Sequence, residues 1–302
     1  MVEIQKSEFK ARRERLLAKM DANSVAIIPA ASEVTRSRDT EYAFRQDSDF
    51  FYLTGFNEPD AVLVLCNNSD TPSTLFCLDK DKLAEIWHGR RIGFEKAKNE
   101  YLFDETYALS ELTEQLLDLV NGQQILFYAQ GAYPSFDTKV FTLLNTLRSA
   151  AKKGYQAPST IKDVRGLIHE MRLFKSPSEV NIMREGCEIS ARGHMRAMRY
   201  SHPGATEFQL EAELHHHYAM NGAPHPAYGT IVGSGDNANI LHYTQNSDVL
   251  KDGDLVLIDS GCELQGYAAD ITRTFAVNGK FSEPQAALYN IVLKAQEVAF
   301  EE

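Results

Sequence analysis

Residues 255–275 read Leu255-Val256-Leu257-Ile258-Asp259-Ser260-Gly261-Cys262, then Glu263-Leu264-Gln265-Gly266, then Tyr267-Ala268-Ala269-Asp270-Ile271-Thr272-Arg273-Thr274-Phe275. The first segment is an apolar strand with one carboxylate near its end, the second a turn, the third a return strand. A turn centred on Leu264-Gln265 makes Asp259 and Asp270 direct cross-strand partners. Their side chains then share one face, with Cβ atoms about 4.5–5.5 Å apart. Two carboxylates so placed repel, and they are costly on an apolar hairpin unless protonated or bridged by a cation. Oxygen ligands at that spacing suit two divalent ions ~3.5–4 Å apart, as in two-metal hydrolysis. The plainer alternative is two solvated aspartates on an exposed face. Ser260, Gly261, Ala268 and Ala269 are small and leave room for ions and water.

Upstream, Tyr228-Gly229-Thr230-Ile231-Val232 reads as a strand leading into Gly233-Ser234-Gly235, and strands dominate as far as Phe275. No G-K-[ST] follows the glycines, so a packing turn outweighs a phosphate cradle. His242, in Ile240-Leu241-His242-Tyr243, is a candidate substrate donor or general acid. The competing reading is a satisfied, partly buried histidine. Ser176-Pro177-Ser178-Glu179 opens a long helix to about Tyr200: Ser176 caps free amides, Pro177 fits the first helical position and Glu179 completes a capping box. His202-Pro203-Gly204 ends it, and Thr206 starts another helix to Asn221-Gly222. Within that helix, His215-His216-His217 fan out by about 100° each and cannot face one ion together.

The first half is α/β. Residues 8–20 form an amphipathic helix. Val25–Ala30, Ala61–Cys66, Thr74–Leu78 and Ile125–Ala129 read as strands, and residues 108–120 and 136–147 as helices. Lys152-Lys153-Gly154 and Ala157-Pro158-Ser159 mark a linker. Trp87, the single tryptophan, sits beside His88, Gly89, Arg90 and Arg91. It reads as core, or as a surface contact or pocket wall. Cys66, Cys77, Cys187 and Cys262 have no zinc or redox spacing and read as buried thiols. With 31 basic and 42 acidic residues the formal charge is −11. That field repels phosphate backbones, so general nucleic-acid binding is not expected. No apolar run approaches the ~20 residues of a membrane span, and no signal-peptide core opens the chain. A cytoplasmic protein is the default expectation.

Four blocks together resemble bacterial aminopeptidase P, of the pita-bread metallopeptidase superfamily. They are Thr35-Arg36-Ser37 with Tyr42 and 44–59 (Phe44-Arg45-Gln46-Asp47-Ser48-Asp49-Phe50 through Gly55-Phe56-Asn57-Glu58-Pro59); Glu170-Met171-Arg172 with Phe174-Lys175-Ser176-Pro177; Thr230–Gly235 with Ile240–Thr244; and Asp259–Cys262 with Gly266–Phe275. The resemblance implies an α/β N-terminal domain over 1–172 and an incomplete α+β pita-bread catalytic domain over 173–302. It implies two divalent ions, manganese by family habit, with Asp259 holding one and Asp270 bridging both. It implies that His242 contacts substrate near the scissile amide, that Tyr228 lies by the substrate pocket, and that Trp87 closes the pocket of a neighbouring subunit in a homo-oligomer. The implied reaction releases the residue before proline from Xaa-Pro peptides.

By the same resemblance, the remaining ligands, one His and two Glu, belong beyond the second aspartate. Only 27 residues follow Phe275. The expectation is therefore a chain truncated within its catalytic domain and inactive as it stands, with an unpaired sheet edge and an open apolar face. Rival readings are a prolidase-type dipeptidase, a creatinase-type enzyme working without metal, and a non-catalytic peptide-binding module of the same fold.

Overall fold

The structure, a computed structural model, describes residues 3–301. It divides into two compact units, one over Ile4–Lys175 and the other beginning at Ser176. The first unit runs α1 (Lys6–Lys19), β1 (Ser24–Pro29), an exposed hairpin of β2 (Thr35–Ser37) and β3 (Thr40–Glu41), α2 (Ser48–Thr54), β4 (Val62–Cys66) and β5 (Ser73–Cys77). It continues with α3 (Lys82–His88), α4 (Phe94–Tyr101), β6 (Glu105–Ala108), α5 (Leu112–Val120), β7 (Ile125–Phe127), α6 (Pro134–Ser149), β8 (Thr160–Lys162) and α7 (Arg165–Leu173). One mixed six-stranded sheet has the order β6-β5-β4-β1-β7-β8. Residues 25–29 of β1 and all of β4 are continuous apolar runs because both faces are covered. Ala26, Ile28, Leu63 and Leu65 pack with Leu16, Phe50 and Ile168, while Val25, Ile27, Val62 and Val64 pack with Leu116, Val140 and Leu144.

The block from Gln46 to Gly55 is structural in this unit. The buried Gln46 amide is fully used: Oε1 accepts from the N–H groups of Ala31 (2.8 Å) and Asp47 (2.9 Å), and Nε2 donates to the carbonyls of Phe56 (3.2 Å) and Glu58 (2.9 Å). Asp47 caps α2 by accepting from Asp49 and Phe50 N–H groups. Gly55 closes α2 at φ 60°, and a Cβ there would lie 2.4 Å from the Phe9 ring. Arg172 pairs with Asp49, which joins the second sequence block to the first.

The second unit begins with α8 (Pro177–Tyr200) and α9 (Glu207–Met220). It continues with β9 (His225–Pro226), β10 (Ile231–Ser234), β11 (Leu255–Asp259), β12 (Cys262–Leu264), β13 (Tyr267–Ala268), β14 (Thr272–Ala276) and α10 (Glu283–Glu301). The expected capping box forms: Glu179 N–H donates to Ser176 Oγ (3.3 Å) and Ser176 N–H to the Glu179 carboxylate (2.8 Å). Small residues on the buried face of α8 let its neighbours approach. A Cβ on Gly193 would lie 2.7 Å from the Tyr218 ring of α9. Strands β10, β11 and β14 form one three-stranded sheet, and β13, β12 and β9 a second. Helix α10 exposes Leu288, Ile291, Val292 and Phe300.

Four expectations need correcting. The ribbon pairs Asp259 with Thr272 and Leu264 with Tyr267, so its turn falls at Gln265-Gly266, one residue later than expected. Both turn residues have positive φ, 50° and 80°, the backbone of a two-residue hairpin turn whose twist matches the strands. Asp259 and Asp270 are therefore not direct partners. The helix expected from residue 108 opens with a 3-10 turn over Leu109–Glu111 and becomes α-helical at Leu112, because Ala108 is still paired in β6 with β5. Tyr228 lies in a bend, the following strand starting at Ile231. Cys187 is exposed, whereas the other three thiols are buried as expected.

Candidate metal centre

The shift of Asp259's partner from residue 270 to residue 272 is two residues, and a strand's side chains repeat with period two, so the aspartates keep a common face. Between them the ribbon passes from one sheet to the other. Ser260 N–H donates to Ile271 O (3.1 Å) and Ala269 N–H to Cys262 O (2.9 Å), which leaves Gly261 facing Asp270. The strands approach closely there: a Cβ on Gly261 would lie 1.8 Å from the Ala269 carbonyl oxygen. This pinch is the point from which both carboxylates project.

Tyr228 joins them. Its hydroxyl donates to Asp259 Oδ1 and lies 3.1 Å from Asp270 Oδ1. The two carboxylate oxygens are thus no more than two hydrogen-bond lengths apart. Burial raises the phenol's pKa, and its hydrogen bonds to Asp259 and Asp270 raise it further. One phenolic proton cannot satisfy two carboxylates at once, so the pair keeps unmet negative charge. Two hard oxygen donors in that condition fit a divalent cation. Asp259 is half-buried and Asp270 exposed, so the pair opens to solvent on one side. Among the described residues no group of three or more His, Cys, Asp or Glu that could hold a metal ion converges.

His242 is exposed in a turn after the 3-10 segment Gly235–Asn239, and among the described residues it makes no hydrogen bond to Tyr228, Asp259 or Asp270. Trp87 belongs to the first unit, on α3, and is 79% exposed, which removes the core reading. His215 is a structural partner, its Nε2 lying 2.8 Å from Thr230 Oγ1.

Sequence reasoning missed the groups that hold the surroundings in place. The buried Glu207 carboxylate accepts from Ser234 N–H (2.7 Å), Ser234 Oγ (2.8 Å), Asn237 Nδ2 (3.1 Å), Tyr243 Oη (2.9 Å) and Asp248 N–H (2.9 Å). Burial alone pushes this carboxyl up, but the donors of Asp248, Ser234 and Asn237 outweigh it and hold the pKa below the usual range. Glu207 thereby pins the start and end of the 234–248 segment that carries His242. Its donors lie 27–41 residues away in sequence, and no local signal announces them. The buried His194 of α8 also escaped notice, its Nε2 lying 2.9 Å from the Ser260 carbonyl oxygen.

Fold and site together define an α/β N-terminal domain joined to a pita-bread metallohydrolase domain. Residues 9–128 match the aminopeptidase P N-terminal domain, and residues 181–302 match metallopeptidase family M24. The Xaa-Pro aminopeptidase of Escherichia coli K12 is 50% identical over 301 residues, covering 99% of this chain and 68% of the relative. That of Haemophilus influenzae is 41% identical, covering 100% and 68%. The solved structure of zinc-substituted E. coli aminopeptidase P with product superposes with a TM-score of 0.96 over 98% of this chain and 68% of that one. The Pseudomonas aeruginosa aminopeptidase gives 0.98 at 46% identity, again over 68% of its length. The chain belongs to metallopeptidase family M24, in its aminopeptidase P group. Membership implies divalent metal ions as cofactors. Among the described residues, no helix is long and apolar enough to cross a membrane.

Proposed function

We propose that this chain serves metal-dependent removal of the N-terminal residue from peptides with proline in second position. The observation that carries the reading is the Tyr228-linked pair of carboxylates at the ribbon's pinch. Asp259 and Asp270 hold the cations, with manganese the proposed metal. Bound there, divalent ions supply Lewis-acid polarisation of the scissile carbonyl and of water. Tyr228 keeps its proton between the two carboxylates and fixes their rotamers, so they stay turned to the open side. His242, exposed on its turn, donates to the carbonyl oxygen of the substrate as charge develops. Trp87, standing out on α3 with Leu83 and Ile86, covers the pocket of a neighbouring copy in a homo-oligomer. The proposed division is an N-terminal domain over 1–172 and a catalytic-domain segment over 173–302. The proposed compartment is the cytoplasm, on the acidic composition.

The test is hydrolysis of tripeptides with proline or alanine in second position, with and without Mn2+, together with an Xaa-Pro dipeptide. Any cleavage is expected only before proline and only with the ion, with none in Asp270→Ala. Cleavage without any divalent ion, or without regard to proline, would overturn it. Preference for the dipeptide would move the assignment to a prolidase. Cation binding without turnover would confine the chain to the binding half of the reading.

A further inference from the structure

His194 is 2% exposed and sits on α8 against the pinch of the ribbon. Its Nε2 lies 2.9 Å from the Ser260 carbonyl oxygen. A carbonyl only accepts, so Nε2 carries the proton. Burial disfavours the charged ring, which leaves Nδ1 as a bare acceptor, and among the described residues that atom has no hydrogen-bond partner. The ring also senses the backbone of Ile271. Ser260 and Ile271 are the residues that immediately follow the two aspartates, and Ser260 N–H donates to Ile271 O across the ribbon (3.1 Å). Ser260 is fully buried, and its hydroxyl is held between Tyr218 Oη (3.0 Å) and Thr230 Oγ1 (3.1 Å). The imidazole therefore fixes one backbone carbonyl at the step where both carboxylate-bearing strands cross from one sheet to the next.

We infer that His194 is a positioning residue for the aspartate pair: its hydrogen bond to Ser260 sets the backbone from which Asp259 and Asp270 project, and so tunes their joint affinity for a divalent cation. The inference rests on the metal reading above for its second half. Its first half, control of the ribbon, stands without metal. His194 touches neither substrate nor ion, and it acts through a main-chain carbonyl one residue from a ligand. Outer partners of metal ligands typically change affinity by about 10–100-fold, and an effect near the lower end is expected here.

The experiment uses the intact chain with His194→Phe, which keeps a ring but loses the donor, and His194→Gln, whose amide nitrogen can replace Nε2. Amide hydrogen exchange is read without metal, and Mn2+ binding by loss of the free-ion paramagnetic resonance signal, with Asp270→Ala alongside. Expected in His194→Phe are exchange at least about tenfold faster at the Ser260 and Ala269 amides, unchanged exchange in α9, and Mn2+ binding weakened about tenfold. His194→Gln should stay within about threefold of the parent on both readings. Parent-like exchange and Mn2+ binding in His194→Phe would overturn the inference. Exchange raised evenly through the unit in both variants would overturn it too, since that marks general support. If the parent and Asp270→Ala take up Mn2+ alike, the metal reading fails, and the exchange pattern alone decides whether His194 positions the ribbon.

Discussion

Gly261→Ala attacks the pinch with one methyl group. The new Cβ would stand 1.8 Å from the Ala269 oxygen, 2.3 Å from its carbonyl carbon and 2.9 Å from Asp270 N. All three are backbone atoms, so no side chain can swing aside. Carbon and carbonyl oxygen in contact sit ~3.3 Å apart, so the strands must part by more than an ångström. Two cross-ribbon hydrogen bonds span this point, Ser260 N–H to Ile271 O and Ala269 N–H to Cys262 O. Each is worth about 1 kcal/mol net, and overpacking strain adds about 1–3 kcal/mol. The expected loss is about 3–5 kcal/mol, a large share of the roughly 5–15 kcal/mol that stabilises a domain. Urea unfolding followed by circular dichroism measures it. Gly253→Ala is the control: its φ of 84° makes an alanine there strained, but a Cβ meets no atom within 4 Å. If Gly261→Ala unfolds within about 1 kcal/mol of the parent, the close approach and the register drawn from it are wrong.

Two further outcomes follow from the same unit. Glu207→Ala leaves five donors around a buried vacancy, and should cost about 3–5 kcal/mol in urea unfolding, with faster amide exchange across residues 234–248; unchanged exchange there would contradict the pinning role. His194 and His215 have pKa values held below the ordinary 6.5 by burial. The unfolded chain therefore takes up their protons first, and stability should decline as pH falls through about 6.5. Glu207, held below its ordinary 4.5, adds a second decline as pH drops below about 4.5. Urea midpoints between about pH 8 and about pH 3 check both, and a flat profile would contradict them.

The sequence announces an element well where one signal suffices. Strand β4 and residues 25–29 of β1 are apolar at every position because two layers cover them, and the Ser176-Pro177-Glu179 box forms as its residue types require. The ribbon's register was one turn residue off, because a turn at Leu264-Gln265 and one at Gln265-Gly266 both satisfy the alternation. Gly266, with its freedom at positive φ, was the available signal. The face of the aspartates survived the error, since a two-residue shift preserves side. Trp87 was ambiguous because an apolar stripe on a short helix looks alike whether buried or presented outward. Cys187 falls on the exposed face of the long α8, one residue from the buried Gly186, and its neighbours in sequence do not show that side. Glu207 and His194 were invisible: their partners come from strands and turns 27–66 residues away, and only the folded chain brings them together. Tyr228 could be reached by resemblance, but its bridging of both carboxylates could not.

Asp259 and Asp270 are proposed to act as one cation site. Calorimetric titration of Mn2+ into the parent chain, Asp259→Ala and Asp270→Ala tests it most directly. Saturable binding in the parent that disappears in either variant is the predicted result. Equal heats in the parent and Asp270→Ala would contradict the account and leave the pair as two solvated carboxylates held by a tyrosine.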